Sequence, residues 1–175
     1  MATNPLMTRN MCRSKIIVID LCDTLAQVTK AVEGIYGPIP DPLNCFHPAV
    51  SHPEFWANSG NLIAREIFKF AEPMPGAVKG VSYLAQKGQI VYLTARPEWA
   101  KGTSEKWLRQ NGFPNAPVVC TPDKYTWVLK HSAMAVFEDL PTHIKKLQSI
   151  IPVYVPSQPW NRRLGIQFDW KEGLL

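Results

Sequence analysis

The segment that most constrains the fold is residues 15–25, which read K-I-I-V-I-D-L-C-D-T-L. Four β-branched apolar residues run directly into Asp20. Such a run predicts a buried strand of a parallel sheet, and open α/β sheets bind ligands at the carboxyl ends of their strands. A carboxylate buried there is costly unless a cation or hydrogen bonds compensate it. We therefore predict that Asp20 holds a metal ion or attacks a substrate, the alternative being a helix N-cap.

The remainder of the chain alternates between helical and strand patterns after residue 76. Further strands are predicted at 89–94, 117–120, 133–137 and 153–155, with helices at 77–87, 99–110, 124–131 and 141–150. Repeated strand–helix–strand alternation is typical of a parallel sheet covered on both faces, with right-handed crossovers. The predicted fold class is therefore α/β, with a three-layer Rossmann-like parallel sheet.

A different pattern fills the space between the first and second strands. Helical spacing over residues 25–36 and 61–70 flanks a proline-rich stretch at 41–54 that we expect to be irregular. We predict a small helical cap at 26–73, inserted after the first strand. The core then comprises 15–25 and 74–175, and residues 1–14 form a flexible, polar N-terminal tail.

Composition narrows the class of protein and of ligand. The 175 residues, 46% hydrophobic and 19% charged, suit one globular domain. No apolar run is long enough to cross a bilayer and none resembles a signal peptide, so we expect a cytoplasmic protein without a membrane partner. The four cysteines lack C-x-x-C spacing and are expected to be reduced thiols. A net charge of +5 suits an anionic ligand, either a phosphate ester or nucleic acid, although a merely basic surface explains it equally well.

Polar side chains follow three of the predicted strands. Because the carboxyl ends of parallel strands share one edge of a sheet, acids distant in sequence are expected to meet there. Carboxylates, carbonyl oxygens and water are the ligands that Mg²⁺ prefers. The residues that we expect at this edge are Asp20, Asp23, Thr24, Thr94, Arg96, Glu138 and Asp139.

Other groups at the same edge suit a phosphate. The Thr94 hydroxyl and the backbone N–H groups of the turn through Ala95 are suitable donors to a phosphate oxygen. Lys124 begins a predicted helix beside the edge; it either reaches the phosphate or is simply solvated. Arg96 likewise either contacts phosphate or forms a surface salt bridge. Together these groups predict phosphoryl transfer in which a carboxylate attacks the phosphorus.

The order and spacing of these motifs resemble the haloacid dehalogenase (HAD) superfamily of phosphatases. The matching segments are D-L-C-D-T-L at 20–25, I-V-Y-L-T-A-R at 90–96, Lys124 (with Lys130 as a weaker candidate) and A-V-F-E-D at 135–139. The late P-W-N-R at 159–162 is similar to the 5′(3′)-deoxyribonucleotidase-like branch.

This resemblance implies a role for each residue. Asp20 would form an aspartyl-phosphate, Thr94 and Lys124 would hold the phosphate, and the cap would select the substrate. The implied ligands of Mg²⁺ are Asp20, the backbone carbonyl of Cys22, Glu138 and Asp139.

Cys22 departs from the family pattern, which has a second aspartate there as general acid and base. A thiol with an ordinary pKa of about 8.5 is a weak acid for a leaving alkoxide. Loss of such assistance typically slows a reaction by about 10²–10⁴-fold. Asp23 is adjacent, but neighbouring residues of an extended segment point in different directions. Either Asp20 is phosphorylated slowly, or the protein binds a phosphorylated ligand without turnover.

The predicted substrate is a small phosphate monoester, foremost a nucleoside or deoxynucleoside monophosphate. Phe46 and Trp56, with Phe55 nearby, either stack on a base or fill the core of the cap. The first alternative function is a catalytically weakened protein that binds a nucleotide or another phosphorylated ligand. The second is a polynucleotide 3′-phosphatase, for which nucleic acid would be the partner.

Overall fold

A six-stranded parallel sheet forms the centre of the protein. The computed structural model describes residues 15–173, so the predicted tail at 1–14 lies outside the described residues. The strand order is β3-β2-β1-β4-β5-β6, and every neighbouring pair is parallel. The predicted α/β class is confirmed. The strands are β1 (Ile16–Ile19), β2 (Gln89–Thr94), β3 (Val118–Cys120), β4 (Ala135–Phe137), β5 (Val153–Pro156) and β6 (Ile166–Phe168).

Helices cover both faces of this sheet. They are α1 (Val28–Tyr36), α2 (Pro53–Ala57), α3 (Leu62–Phe70), α4 (Ala77–Ala85), α5 (Lys101–Gln110), α6 (Lys124–His131) and α7 (Pro141–Leu147), with short 3-10 helices at Pro48–Val50 and Glu98–Ala100. Side chains alternate along β1, so Ile17 and Ile19 pack with α1, α3, α4 and α5, whereas Val18 packs with α6 and α7. Burial on both faces explains the unbroken apolar run of β1.

The register of the central strands places the site. Ile19, the last residue of β1, pairs with Tyr92 of β2 and with Phe137 of β4. Asp20 follows immediately, and its backbone N–H donates to the Phe137 carbonyl at 2.9 Å. Glu138 is the next residue after Phe137. The residues that follow the central strands therefore lie at one edge of the sheet.

The segment between β1 and α4 leaves the sheet and returns to it at adjacent points. Ala26 and Pro73 form an antiparallel bridge, and the Met74 N–H donates to the Leu25 carbonyl at 2.7 Å. Helices α1, α2 and α3 lie between these two points. Their buried residues belong to the same apolar cluster as one face of the sheet. The division into cap and core at residues 26–73 stays a prediction.

Three local differences separate the structure from the sequence expectation. Helix α1 begins at 28 rather than 25, because the Leu25 and Ala26 N–H groups both donate to the Leu21 carbonyl in a tight turn. The stretch expected to be irregular contains the first 3-10 helix and the start of α2, where the His52 side chain accepts from the Glu54 N–H. The three-residue edge strand β6 was not predicted.

Candidate active site

A cavity of about 220 Å³ lies at the carboxyl edge of the sheet, beneath residues from α1 and α3. It is lined by acidic side chains, by the buried cations Lys124 and Arg96, and by side chains of α1, α2 and α3. Within the part of the chain that the structure describes, Thr24 does not line it, and neither do the two weaker candidates, Phe55 and Lys130. The predicted residues that do are Asp20, Cys22, Asp23, Phe46, Trp56, Thr94, Ala95, Arg96, Lys124, Glu138 and Asp139.

Lys124 joins two of the acids. Its Nζ donates to Asp20 Oδ1 at 2.5 Å and to Glu138 Oε2 at 2.6 Å, and the side chain is only 2% exposed. Burial alone would lower the pKa of Lys124, but the two carboxylates raise it above its ordinary value, so the ammonium stays charged. The solvated alternative is therefore wrong. Lys130, the weaker candidate, is exposed on the same helix.

The three carboxyl groups around this lysine differ in how well they are compensated. Burial raises the pKa of Glu138, but Lys124 and His143 outweigh it and lower that pKa to about 2. Burial raises the pKa of Asp20, against the opposing effect of Lys124. Burial and repulsion by neighbouring acids raise the pKa of Asp139 well above its ordinary value. Asp139 is thus the least compensated of the three.

Asp139 is held from three sides. Thr24 Oγ1 donates to Oδ1 at 3.3 Å, and Trp160 Nε1 donates to Oδ2 at 3.2 Å. The buried Asn161 donates through Nδ2 to the Asp139 carbonyl at 3.0 Å. The P-W-N-R segment therefore positions an acid of the site. Sequence reasoning had used this segment as a sign of substrate type and missed its positioning role.

The donor set fits a divalent cation. One carboxylate oxygen from each of Asp20, Glu138 and Asp139 lies within 4.8 Å of the others. Counting Asp23, four carboxyl groups line the cavity, together with two cations, Lys124 and Arg96. Clustered oxygen ligands with an excess of negative charge are what Mg²⁺ binds. The raised pKa of Asp139 is the electrostatic sign of that excess.

Asp23 is committed to the start of α1. Its carboxylate accepts from the Thr29 N–H at 2.9 Å and from the Thr29 hydroxyl at 2.8 Å, and its backbone lies in the left-handed region at φ 52°. Burial raises the pKa of Asp23 to about 6. Because both oxygens bind Thr29, Asp23 rather than Asp20 serves the beginning of this helix.

Cys22 and Arg96 lie in direct contact. Arg96 Nε donates to Cys22 Sγ at 3.2 Å, and Nη1 donates to Ser104 Oγ at 3.0 Å. Arg96 is buried, so the alternative of a surface salt bridge is wrong. Burial raises the pKa of the Cys22 thiol to about 12, although the guanidinium opposes the shift. Position 22 therefore presents a neutral thiol to the cavity at physiological pH.

The turn after β2 carries the predicted phosphate donors. The buried Thr94 Oγ1 accepts from the Arg96 N–H at 3.2 Å, which leaves its own hydroxyl hydrogen to donate elsewhere. Ala95 is exposed between them and lines the cavity. This geometry suits the binding of a phosphate oxygen.

The two aromatic candidates differ in their surroundings. The Trp56 ring stacks on Phe68 at 5.2 Å and meets Phe55 edge-on at 4.7 Å, while its Nε1 donates to the Val50 carbonyl. Trp56 thus packs between α2 and α3 as well as lining the cavity. Phe46 is 45% exposed and also lines the cavity, so its ring remains accessible to a ligand.

Two further tryptophans were missed by sequence reasoning. Trp99 Nε1 donates to the Trp56 and Ala57 carbonyls, which ties α2 to the turn after β2. Trp170 Nε1 donates to the Thr24 carbonyl at 2.8 Å and so holds the loop after Asp20. A Cβ at Gly80 would lie 2.4 Å from the Trp170 ring, so this packing requires glycine there. These contacts join residues far apart in sequence, and no local pattern signals them.

Among residues 15–173, no helix has both the length and the apolar character that crossing a membrane requires. This finding agrees with the absence of a long apolar run in the sequence.

Comparison with known proteins identifies the family. A search of curated protein sequences finds no match. The family profile described as PITM 1-3, LNS2 domain matches residues 59–148, slightly more than half of the chain. This segment includes Thr94, Lys124, Glu138 and Asp139 and begins after Asp20.

This match corrects one sequence prediction. The LNS2 domain has a HAD-like phosphatase fold, but it does not belong to the nucleotidase branch. The assignment to the 5′(3′)-deoxyribonucleotidase-like branch is therefore wrong. The physical reason is that the P-W-N-R segment on which it rested supports Asp139. The chain belongs to the LNS2 domain family of PITM 1-3, a group of HAD-like phosphatase-family domains.

Proposed function

We propose that this protein is a Mg²⁺-dependent phosphohydrolase of small phosphate monoesters, with Asp20 as its nucleophile. The observation that carries the proposal is the buried network in which Lys124 bridges Asp20 and Glu138 inside a cavity. The charged lysine opposes the effect of burial on the pKa of Asp20 and so favours the ionised carboxylate, the form that a nucleophile needs. Family membership supports a phosphohydrolase at the coarse level.

Asp20, Glu138 and Asp139 are the side chains that would hold the metal, because one carboxylate oxygen of each lies within 4.8 Å of the others. Both oxygens of Glu138 already accept hydrogen bonds, from Lys124 at 2.6 Å and from the Leu140 N–H at 3.0 Å. Glu138 therefore also holds Lys124 and the Leu140 N–H, and the Cys22 carbonyl remains the predicted backbone ligand. When bound, Mg²⁺ offsets the negative charge of the phosphate and increases the electrophilicity of phosphorus.

Several residues of the cavity then have separate roles in phosphoryl transfer. Lys124 contacts Asp20 Oδ1, so we assign Oδ2 as the oxygen that attacks phosphorus. A bond forms between Oδ2 and phosphorus as the bond to the leaving oxygen breaks, which gives an aspartyl-phosphate and an alkoxide that takes its proton from water. Lys124, the Thr94 hydroxyl and the Ala95 N–H stabilise the charge on the transferring group.

The size of the cavity supports a small substrate. Its volume of about 220 Å³ falls below the range of roughly 300–1,000 Å³ that is usual for drug-sized ligands. A polynucleotide end would have to enter beneath the cap helices, so we rank a 3′-phosphatase activity below hydrolysis of a small ester. Nucleoside monophosphates remain to be tested within this class, because Phe46 offers an accessible ring.

Cys22 supports a second candidate function, the capture of a phosphorylated ligand without turnover. A thiol with a pKa near 12 is protonated at neutral pH and cannot take a proton from the water that hydrolyses an aspartyl-phosphate. The protein would then bind its ligand, or hold it as a phosphoenzyme, while turning over slowly.

Phosphate release from a panel of monoesters tests both candidates. The panel comprises ethyl phosphate, glycerol phosphates, nucleoside monophosphates and 4-nitrophenyl phosphate, each with Mg²⁺ or with EDTA. We expect Mg²⁺-dependent release that falls on the order of 10⁴-fold or more in Asp20→Asn, the scale seen when a nucleophile is removed. Asp41→Asn, a change of an exposed aspartate, is the matched control.

The outcomes separate the two functions. Release that survives Asp20→Asn would refute the assignment of the nucleophile. Tight binding of an unhydrolysed ester in calorimetry, with no release from any member of the panel, would establish the binding function instead.

A further inference from the structure

Arg96 is a buried cation without an anionic partner. Its side chain is 96% buried, and within residues 15–173 no carboxylate lies in salt-bridge range of it. The guanidinium donates to a thiol, Cys22 Sγ at 3.2 Å, and to a hydroxyl, Ser104 Oγ at 3.0 Å. Both partners are neutral groups, so its charge is not matched by a hydrogen-bonded anion.

One nitrogen of this guanidinium has no partner at all. Nη2 is shielded from solvent and makes no hydrogen bond to the described residues. Arginine stays charged at any physiological pH, and buried charges in proteins are normally paired. An unsatisfied buried donor calls for an explanation, and Arg96 lines the cavity in which the substrate would bind.

The position of Arg96 favours the organic part of the substrate over the transferring phosphate. Lys124, which bridges Asp20 and Glu138, already provides a cation at the nucleophile. The Arg96 guanidinium instead lies against the cap helices, with Cζ 4.2 Å from the centre of the Phe68 ring. Phe68 covers one face of the guanidinium, whereas hydrogen bonds to an anion are made in its plane.

We propose that Arg96 selects phosphate monoesters whose organic part carries a carboxylate. This inference rests on the proposed function, because it takes the phosphate to lie at Asp20. The cavity also has apolar walls, which include Val32, Val50 and Phe68, and Phe68 lies directly against the guanidinium. A carboxylate at this wall of the cavity would offset the buried charge of the guanidinium.

Because residue 22 is a cysteine, the Nε group of Arg96 donates to a neutral thiol and not to a carboxylate. An aspartate at position 22 would place a carboxylate on Nε of Arg96 and pair its charge within the protein. A thiol accepts the hydrogen bond without neutralising the guanidinium. The residue that departs from the family pattern therefore has a consequence for ligand choice as well as for acid–base chemistry.

Calorimetry with two small probes tests the proposal. 2-Phosphoglycolate and ethyl phosphate are similar in size and differ by the carboxylate, and both are titrated with Mg²⁺ into the Asp20→Asn protein to suppress turnover. We expect 2-phosphoglycolate to bind at least tenfold more tightly than ethyl phosphate. Equal affinities would overturn the proposal, whether or not any variant of Arg96 folds.

Variants locate the origin of that preference. In the same background, Arg96→Gln is expected to reduce the ratio of the two affinities at least tenfold. Arg65→Gln, which changes an exposed arginine 5.6 Å from the Trp99 ring, should leave the ratio unchanged. A ratio that survives Arg96→Gln would refute the role of this residue.

Failure here is distinguishable from failure of the proposed function. The proposed function fails when phosphate release is absent or independent of Asp20. The inference about Arg96 fails when binding does not discriminate between the two probes, and binding is measured without any turnover.

Discussion

Two buried cations, Lys124 and Arg96, line one cavity, and the partners of their charged groups differ. Lys124 is closed into a network with two carboxylates, whereas Arg96 contacts a thiol, a hydroxyl and an aromatic ring. The compact ammonium is a suitable point charge for holding a nucleophile, and the planar guanidinium suits recognition of a planar anion. The comparison indicates that the Lys124 side of the cavity is complete before ligand arrives and the Arg96 side is not.

The difference follows from what each strand end supplies. The residues after β1 and β4 provide Asp20 and Glu138 for the lysine. The loop after β1 also provides Cys22, which stands beside the arginine and remains neutral because burial raises its pKa to about 12. One position, rather than the whole architecture, thus decides whether both cations are paired within the chain.

The largest effect is expected from removing the cation that joins Asp20 and Glu138. Lys124→Met removes the charge at similar length and leaves two buried carboxylates without their cation, so we expect a loss of about 3–5 kcal/mol in the free energy of unfolding. Urea denaturation at pH 7 without metal measures this loss. Lys130→Met, an exposed change on the same helix, should cost no more than about 0.5 kcal/mol. Equal losses in the two variants would refute the network as a source of stability.

A smaller effect is expected from giving Arg96 a carboxylate partner at position 22. Cys22→Asp supplies a carboxylate at the position where the sequence resemblance to HAD phosphatases implies an acid and base, and turnover of ethyl phosphate should rise about 10²-fold, at the lower end of general acid–base contributions. The same change pairs Arg96, so the preference for 2-phosphoglycolate should fall. Steady-state kinetics with both esters measures the two outcomes, with Cys22→Ser as the neutral control. A rise in Cys22→Ser equal to that in Cys22→Asp would contradict the acid–base explanation.

The smallest effect is expected at Asp139, which hydrogen-bonds to neither Lys124 nor Arg96. Because folding raises the pKa of Asp139, this residue favours the folded state below the ordinary carboxyl pKa of about 3.9 and loses that contribution as pH rises through the raised value. At pH 7 without metal, Asp139→Asn should therefore raise Tm by about 2–4 °C, the shift that 1 kcal/mol produces in a chain of this size.

The metal provides the check on this assignment. Mg²⁺ binds the ionised carboxylate, so it should raise Tm of the wild-type protein and have less effect on Asp139→Asn. Thermal scans from pH 4 to pH 8, with Mg²⁺ or EDTA, measure both dependences. A wild-type Tm that is unaffected by Mg²⁺ across this range would argue against a metal at these acids.

Much of the fold was predictable because it follows from local periodicity. The run of Ile16–Ile19 and the alternation after residue 76 predicted a parallel sheet, and the rule that strand ends share an edge predicted that Asp20, Thr94 and Asp139 would lie together. The edge strand β6 escaped prediction, since three residues carry too little pattern to separate a strand from a loop.

The partners of the site residues were not predictable for a different reason. The bond from Trp160 to Asp139 spans 21 residues and that from Arg96 to Cys22 spans 74, so no local pattern contains them. The sequence suggested a surface salt bridge for Arg96 as readily as a phosphate contact. Only the three-dimensional structure identifies it as a buried cation without an anionic partner.

Trp170 has a consequence for how the protein is made. Its hydrogen bond to the Thr24 carbonyl joins residues that are 146 positions apart and holds the segment that carries Asp20. Such a long-range contact cannot form on a ribosome until nearly all of the domain has emerged. We therefore expect the loop after Asp20 to reach its final position in a nascent chain only after synthesis has passed this tryptophan.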